Sequence, residues 1–239
     1  MKRLENLDVN PPAAISSRVS PWLACLLYPL GRYGLLPVYF RRIEVTGQEN
    51  IPRTGPVIVA PTHRSRWDAL TIPYATGRLV SGRDLYFMVS ANEVKGVQGW
   101  FIRRMGGFPV DTENPGIDSF RHSVELLLEG KMLVIFPEGG IFRDRRIHPL
   151  KRGVARMALD VESDQPGCGI KILPVSLQYS QPYPSWGCQV QVKIGSPINV
   201  ADYQAASLRK SSQKLTADLT AALRNLHEEK SDSMPVTRA

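Results

Sequence analysis

The stretch Gly55–Pro73, "GPVIVAPTHRSRWDALTIP", joins an apolar run to a segment with helical character. The run "GPVIVAP" lies between glycine and proline, which predicts a short buried strand. The following "WDALTIPYATG" predicts a helix that ends at Gly77, although Pro73 weakens its middle. A buried strand that leads through a loop into a helix is the unit from which α/β folds are built.

The same alternation continues along the chain. Strands are predicted in "RRIEV", "DLYFMVS", "FPVD", "KMLVIF", "GIKILPVSLQY" and "CQVQVKIGSPI". Helices are predicted in "VQGWFIRRMGG", "GIDSFRHSVELLLEG" and "RGVARMALDVES", and from Ala205 to about Lys230. We therefore predict an α/β fold with a mixed central β-sheet flanked by helices.

Length and charge limit the classes of partner. The 239 residues fit one globular domain with an appendage, and 30 Lys and Arg against 22 Asp and Glu give a formal charge of +8. This excess favours a polyanionic partner, which includes nucleic acid, an anionic membrane surface and phosphorylated substrates. The three cysteines are too few and too scattered for a disulfide framework or a zinc site, and no metal is expected.

The most apolar stretch, Trp22–Phe40, is almost long enough to span a bilayer, but proline, glycine and Arg32 interrupt it. We expect two short segments that lie in the membrane interface, with Arg41 and Arg42 at the headgroups. The expected aromatic anchors are Trp22, Tyr28, Tyr33, Tyr39 and Phe40. A helical hairpin packed on the protein's own core is the alternative.

The expected organisation has three parts. Residues 1–42 form an N-terminal tail and a membrane-interfacial segment, residues 43–230 form the main domain, and residues 231–239 form a disordered tail. The start, "MKRLENLDVNPPAA", carries charges of both signs and no apolar region, so a signal peptide is not expected.

His63 and Asp68 stand five positions apart in the opening stretch, and two interpretations remain open. Ser65 and Asp68 match a capping box, in which the acidic side chain reaches back to the backbone of the capping residue. Alternatively, a neutral His63 is a general base near neutral pH, and a carboxylate on its other ring nitrogen fixes the tautomer. Because no GxSxG elbow is nearby, the activated hydroxyl would then belong to the substrate.

A second candidate stretch is "FPEGGIFRD", Phe136–Asp144, in which a strand ends at Glu138 and a glycine pair. Gly139 and Gly140 allow close backbone approach to a ligand, and Glu138 is a candidate to orient or accept from a substrate hydroxyl. A plain strand-to-loop turn is the alternative. The basic run that follows is either a solvated face or a phosphate site, and it comprises Arg143, Arg145, Arg146, Lys151 and Arg152.

Together these stretches resemble the glycerolipid acyltransferase family, whose best-known members are the 1-acyl-glycerol-3-phosphate acyltransferases. The family's His-x-x-x-x-Asp motif stands here as "HRSRWD", and "FPEGGIF" replaces its usual Phe-Pro-Glu-Gly-Thr-Arg-Ser motif. Pro174 in "ILPVSL" resembles the proline of a further family motif. The resemblance covers about Ile43 to Gly195.

The resemblance implies an O-acyltransferase that moves a fatty acyl group from an acyl-CoA or acyl-ACP thioester to a lysophospholipid hydroxyl. The first acceptor it implies is 1-acyl-glycerol-3-phosphate, which would become phosphatidic acid. His63 would be the base and Asp68 its support, while Glu138, Gly139 and Gly140 would position the acceptor. No cofactor beyond the thioester is implied. The expected location is the cytoplasmic face of a membrane, peripheral or monotopic, without a nucleic-acid partner.

Two departures leave the acceptor headgroup open. Thr112 and Ile141 stand where the family usually has phosphate-binding arginines. Candidate substitutes are Arg103, Arg104, Arg143 and Lys151. The alternatives are an acyltransferase for a neutral or different lysolipid, a hydrolase that activates water with the same pair, and a non-catalytic basic lipid-binding protein.

Overall fold

A computed structural model describes residues 15, 17–111, 116–203 and 207–228. Within these residues the sheet has eight strands. Their bounds are β1 Arg42–Thr46, β2 Val57–Pro61, β3 Leu85–Ser90, β4 Gly107–Val110, β5 Met132–Val134, β6 Lys171–Tyr179, β7 Gln189–Ile194 and β8 Ile198–Asn199. The expected strands are all present, and the sheet is mixed as predicted.

The strand order is β1-β7-β6-β2-β5-β3-β4, with β8 paired to β6. The pairs β2–β5, β2–β6, β3–β5 and β3–β4 are parallel, while β7 and β8 run antiparallel to β6. Strand β2 is central and fully buried, which explains its uninterrupted apolar sequence. Its carboxyl end therefore lies at the same edge of the sheet as the carboxyl ends of β5 and β6.

Helices cover both faces of the sheet. Their bounds are α1 Pro21–Pro29, α2 Leu36–Tyr39, α3 Asp68–Thr76, α4 Arg78–Ser81, α5 Gly96–Arg104, α6 Ile117–Leu128, α7 Gly153–Asp164 and α8 Leu208–Glu228. Side chains alternate along β2, so Val57 and Val59 pack towards α2 and α3, whereas Ile58 and Ala60 pack towards α6, α7 and α8.

The N-terminal apolar stretch forms one continuous helical segment, and the prediction of two separate segments was wrong. A π-helical stretch, Leu30–Leu35, joins α1 to α2. The backbone stays helical because a π-helical turn accommodates the missing proline hydrogen bond at the point where a break was expected. We call residues 21–39 the N-terminal helix.

One side of the N-terminal helix packs on the domain, through Leu23, Ala24 and Leu36. Three expected anchors pack on the domain instead. Phe40 is buried in the core, and Tyr39 stacks on Trp67. Tyr28 lies against Gly77, where burial raises its pKa to about 12. The other side is exposed and apolar. This exposed stripe consists of Trp22, Leu26, Leu30, Tyr33, Leu35 and Val38.

Arg32 is directed at α3, and its guanidinium also lies 6.0 Å from the ring centre of Tyr33 in the exposed stripe. Its guanidinium donates a hydrogen bond to the carbonyl of Tyr74 (2.7 Å) and lies 4.7 Å from the centre of the Tyr74 ring. Among the described residues, no helix is both long enough and apolar enough to cross a bilayer. The predicted tail, residues 231–239, lies outside the described residues.

Candidate active site

The loops after β2, β5 and β6 meet at one edge of the sheet because these strands are parallel neighbours. Thr62, directly after β2, joins its loop to β6, because its hydroxyl accepts a hydrogen bond from the N–H of Leu177 (2.9 Å). His63 follows Thr62, and Glu138 comes four residues after the end of β5. Sheet topology thus brings together two motifs that are 75 residues apart.

The expected His63–Asp68 contact is present. Nδ1 of His63 lies 2.9 Å from Oδ2 of Asp68, whose side chain has no exposed surface. The same Oδ2 accepts hydrogen bonds from the backbone N–H groups of Arg64 (2.6 Å) and Ser65 (2.9 Å). Asp68 therefore reaches back to the N–H of Ser65, as the capping box required, and it also contacts the imidazole. Ser65 itself does not cap the helix, because the N-cap of α3 is Trp67 and the Ser65 hydroxyl accepts from the Trp67 N–H.

Tyr179 completes the environment of Asp68 and was missed by the sequence analysis. At the end of β6, its hydroxyl donates to Oδ1 of Asp68 (2.7 Å) and lies 3.3 Å from the hydroxyl of Thr71. Burial, and then the negative charge of Asp68, raise the pKa of Tyr179 well above its ordinary value. The phenol is therefore a stable hydrogen-bond donor, and both carboxylate oxygens are occupied.

The ring of His63 stacks on Phe136, with ring centroids 3.9 Å apart and planes at 19°. Since Nδ1 contacts Asp68, an ionised carboxylate holds the proton on Nδ1 and leaves the lone pair on Nε2. The His63 side chain is 20% exposed and borders the main cleft. This geometry suits a base that takes a proton from a bound hydroxyl.

Glu138 does not face the cleft, which differs from its expected contact with the acceptor. Its side chain has no exposed surface and pairs with Arg64 at 2.8 Å, in a pair that is buried on both sides. It also accepts from the backbone N–H groups of His63 (2.9 Å) and His148 (3.0 Å). The pair of Glu138 and Arg64 therefore holds the two loops in position. The carboxylate of Glu138 accepts from two guanidinium nitrogens and two backbone N–H groups, so it has no oxygen left for a substrate.

A cleft of about 880 Å³ opens beside His63, and its walls are mostly apolar. It lies between the N-terminal helix, α3, α5 and the ends of the central strands. The apolar lining includes Leu27, Leu30, Leu35, Leu36, Leu70, Pro73, Phe101, Ile102, Met105, Phe87, Val89, Val110 and Phe136. A cleft of this size and character suits a fatty chain.

Gly139, Gly140, Ile141 and Lys151 line the cleft next to His63. Gly139 has a φ of 74°, and a Cβ there would overlap the Lys151 side chain, whose Nζ would lie only 2.7 Å away. Only glycine therefore fits this turn while Lys151 crosses it. Lys151 is the one candidate phosphate-binding cation from the sequence that reaches the cleft among the described residues.

The other predicted site residues lie elsewhere. Arg103 and Arg104 sit with Arg18 beside the start of α1. Arg143 is directed at the ring of Tyr183, 4.7 Å from its centre. Pro174 is buried within β6 and does not line the cleft. Thr112 lies outside the described residues.

The acyltransferase family model matches residues 42–178, which is more than half of the chain. The chain belongs to this family. The resemblance drawn from the "HRSRWD" and "FPEGG" stretches is confirmed, and this acyltransferase is an enzyme.

Several known proteins are similar to this acyltransferase. A 1-acyl-sn-glycerol-3-phosphate acyltransferase from Bacillus subtilis is 28% identical over 199 residues, covering 80% of this chain and 91% of that protein. One from Streptococcus pneumoniae is 28% identical over 152 residues, covering 61% of this chain and 51% of that protein. The solved structure of a 1-acyl-sn-glycerophosphate (LPA) acyltransferase from Thermotoga maritima has a TM-score of 0.66 at 20% identity, over 88% of this chain and 82% of that one. That structure supports the fold.

Proposed function

We propose that this acyltransferase moves a fatty acyl group from an acyl-CoA or acyl-ACP thioester to a hydroxyl of a lysophospholipid. The first acceptor to consider is 1-acyl-glycerol-3-phosphate, with phosphatidic acid as the product. The observation that carries the proposal is the His63–Asp68 pair, with 2.9 Å between Nδ1 and Oδ2, at the edge of a large apolar cleft.

The proposed chemistry needs no covalent acyl-enzyme. Nε2 of His63 takes the proton of the acceptor hydroxyl as its oxygen attacks the thioester carbonyl. The tetrahedral intermediate then collapses, the C–S bond breaks, and the leaving thiolate takes the proton from the imidazolium. Asp68 stabilises that imidazolium, and Tyr179 and the two backbone N–H groups keep the carboxylate in place.

Lys151 is proposed as the cation of the substrate site because it crosses Gly139 and borders the cleft next to His63. An ammonium in this place can attract an acceptor phosphate. The apolar side chain of Ile141 lines the same wall, where the family usually has an arginine, so this site has less positive charge than the family pattern. Because this arginine is replaced, lysolipids with neutral or other headgroups should be tested beside the phosphate-headed acceptor.

Peripheral attachment to a membrane surface is part of the proposal. The side chains of the exposed stripe are 47–73% exposed, and two of them, Leu30 and Leu35, also border the cleft. An amphipathic segment of this kind binds at the bilayer interface, and the net positive charge favours anionic lipid. A lysolipid could then reach His63 from the surface where it resides.

An acyl-transfer assay with a panel of lysolipids tests the proposal. His63→Ala should lower turnover about 10²–10⁴-fold, the usual contribution of a general base, with circular dichroism unchanged.

Lys151→Met should raise KM selectively for phosphate-headed acceptors. Ser123→Ala is the matched control: it removes a side-chain hydrogen bond within α6, on the opposite face of the sheet, and should cost about 1 kcal/mol of stability without loss of turnover.

Full turnover in His63→Ala and Asp68→Asn would contradict the catalytic assignment and leave Asp68 as a capping residue only. Thioester cleavage without acylated lipid would identify a hydrolase. Transfer to neutral but not phosphate-headed lysolipids would keep the reaction and change the acceptor.

A further inference from the structure

Two large aromatic side chains are exposed on the loop between β6 and β7. Tyr183 is 73% exposed and Trp186 is 70% exposed. They stand three residues apart on a loop that also contains Pro182 and Pro184, which limit its backbone freedom. Tyrosine and tryptophan exposed together in this way are typical of a contact surface.

This loop is fastened to the end of the N-terminal helix. The hydroxyl of Tyr39 donates to the carbonyl of Pro184 (3.1 Å), and the N–H of Gly187 donates to the carbonyl of Tyr39 (2.8 Å). The rings of Tyr39 and Trp186 meet edge to face, with centroids 5.7 Å apart. The loop is therefore continuous with the end of the exposed stripe, which finishes at Val38.

Three arginines lie on or beside this loop, although Arg42 also pairs with Glu44 at 3.7 Å. The guanidinium of Arg143 lies 4.7 Å from the centre of the Tyr183 ring. Arg41 and Arg42 follow the N-terminal helix and are exposed. At a bilayer interface, tyrosine and tryptophan rings sit at headgroup level, and arginines contact lipid phosphates. The combination matches an anionic lipid surface.

We propose that residues 181–187 form a second membrane contact, which docks on anionic phospholipid headgroups beside the exposed stripe. The inference rests on the proposed membrane attachment. Because the loop follows β6, it lies at the same edge of the sheet as His63. Two contacts, one on each side of Tyr39, would fix how the protein tilts on the membrane, which a single amphipathic helix leaves free.

The test is sedimentation with vesicles of mixed phosphatidylcholine and phosphatidylglycerol. The variant Tyr183→Ser/Trp186→Ser should partition on the order of tenfold more weakly than the wild type, because each aromatic ring contributes interfacial binding energy. Ile117→Ser is the matched control, since Ile117 is 77% exposed at the start of α6, on the opposite face of the sheet. The control should partition like the wild type.

Each other outcome overturns the inference in a recognisable way. Equal partitioning of the double variant and the wild type would remove the loop contact and leave attachment by the exposed stripe. A wild type that does not sediment would remove membrane attachment altogether. Loss of binding to an acidic acyl carrier protein, with vesicle binding intact, would identify the loop as a protein-docking site. Acyl transfer to detergent-dispersed substrate, measured in parallel, reports separately on the proposed reaction.

Discussion

At the scale of single residues, Asp68 links local structure to chemistry. A helix-start carboxylate normally bonds only to nearby backbone, and this one bonds to two N–H groups, an imidazole and a phenol. The backbone bonds could be anticipated from the spacing of Ser65 and Asp68. The bond from Tyr179 could not, because it joins residues 111 positions apart.

The first prediction concerns Tyr179, which we regard as a positioning residue. Tyr179→Phe should lower kcat on the order of tenfold with little change in either KM, because the phenol acts on Asp68 and not on substrate. In Asp68→Asn, the same substitution should have almost no further effect on kcat. Additive losses in the double variant would show that Tyr179 acts independently of Asp68.

The second prediction concerns His227, near the end of α8, whose Nδ1 lies 3.1 Å from the hydroxyl of Ser176. Burial first, and then the positive charge of Arg64, lower its pKa. A backbone hydrogen bond at Arg145 and the charge of Glu138 oppose this shift without reversing it. In the unfolded chain His227 takes up a proton as the pH falls below ~6.5, whereas in the folded protein it stays neutral to a lower pH. Acidification below pH ~6.5 therefore lowers the free energy of unfolding.

Urea unfolding at pH 7.5 and at pH 5.5 measures this loss. In His227→Gln the loss should be smaller, since the side chain no longer titrates. At pH 7.5 and above, His227 should contribute no pH dependence, because it is neutral in both states. An equally large loss in the variant would assign the acid sensitivity to other groups.

At the scale of elements, the site depends on two loops that are held by one buried ion pair. The loops after β2 and β5 each supply a partner, Arg64 and Glu138, and Glu138 also binds the backbone of His63. The "FPEG" stretch thus holds the backbone of His63 in position and does not contact the acceptor. The sequence suggested a ligand-facing glutamate because strand ends often carry one, but the direction of the side chain depends on where Arg64 lies.

Glu138→Gln should be severely destabilising, by about 3–5 kcal/mol, because it leaves the Arg64 charge buried and unpaired. Glu93→Gln is the matched control, since Glu93 pairs with Arg66, whose side chain is 79% exposed. That change should cost less than about 1 kcal/mol. Similar melting temperatures for the two variants would contradict the structural role of Glu138.

The N-terminal helix continues through residues that usually end a helix. Pro29, Gly31 and Gly34 predicted an interruption, whereas a π-helical turn carries the chain through without one. Burial of Leu23 and Leu36 on the domain favours this continuous form. The helix propensity of single residues contributes less free energy than this packing, so the sequence alone did not predict a continuous helix.

At the scale of the whole molecule, the apolar cleft belongs to no single element. It needs the N-terminal helix, α3, α4, α5 and the strand ends together, so its volume of about 880 Å³ has no signature in any one stretch. Although the chain has a formal charge of +8, the cleft presents mostly apolar walls next to His63.

The last prediction concerns acyl-chain selectivity. Leu79 lines the cleft from α4 and is 42% exposed, so a larger side chain can be accommodated without disturbing the core. Leu79→Trp should reduce kcat/KM for long-chain donors several-fold more than for short-chain donors, because it fills part of the cleft. The measurement is competition between two thioesters in one assay. Equal reduction for both donors would place the fatty chain elsewhere.

The sequence by itself determined the strand–helix alternation, the mixed α/β class, the contact between His63 and Asp68 and the family, because these depend on neighbouring residues and short spacings. Only the tertiary structure decided the strand order, the bond from Tyr179 to Asp68 and the inward direction of Glu138. It also decided that Lys151 lines the cleft while Arg103, Arg104 and Arg143 lie away from it. These features are contacts between segments far apart in the chain. Their energies depend on sheet register and burial, which no local pattern encodes.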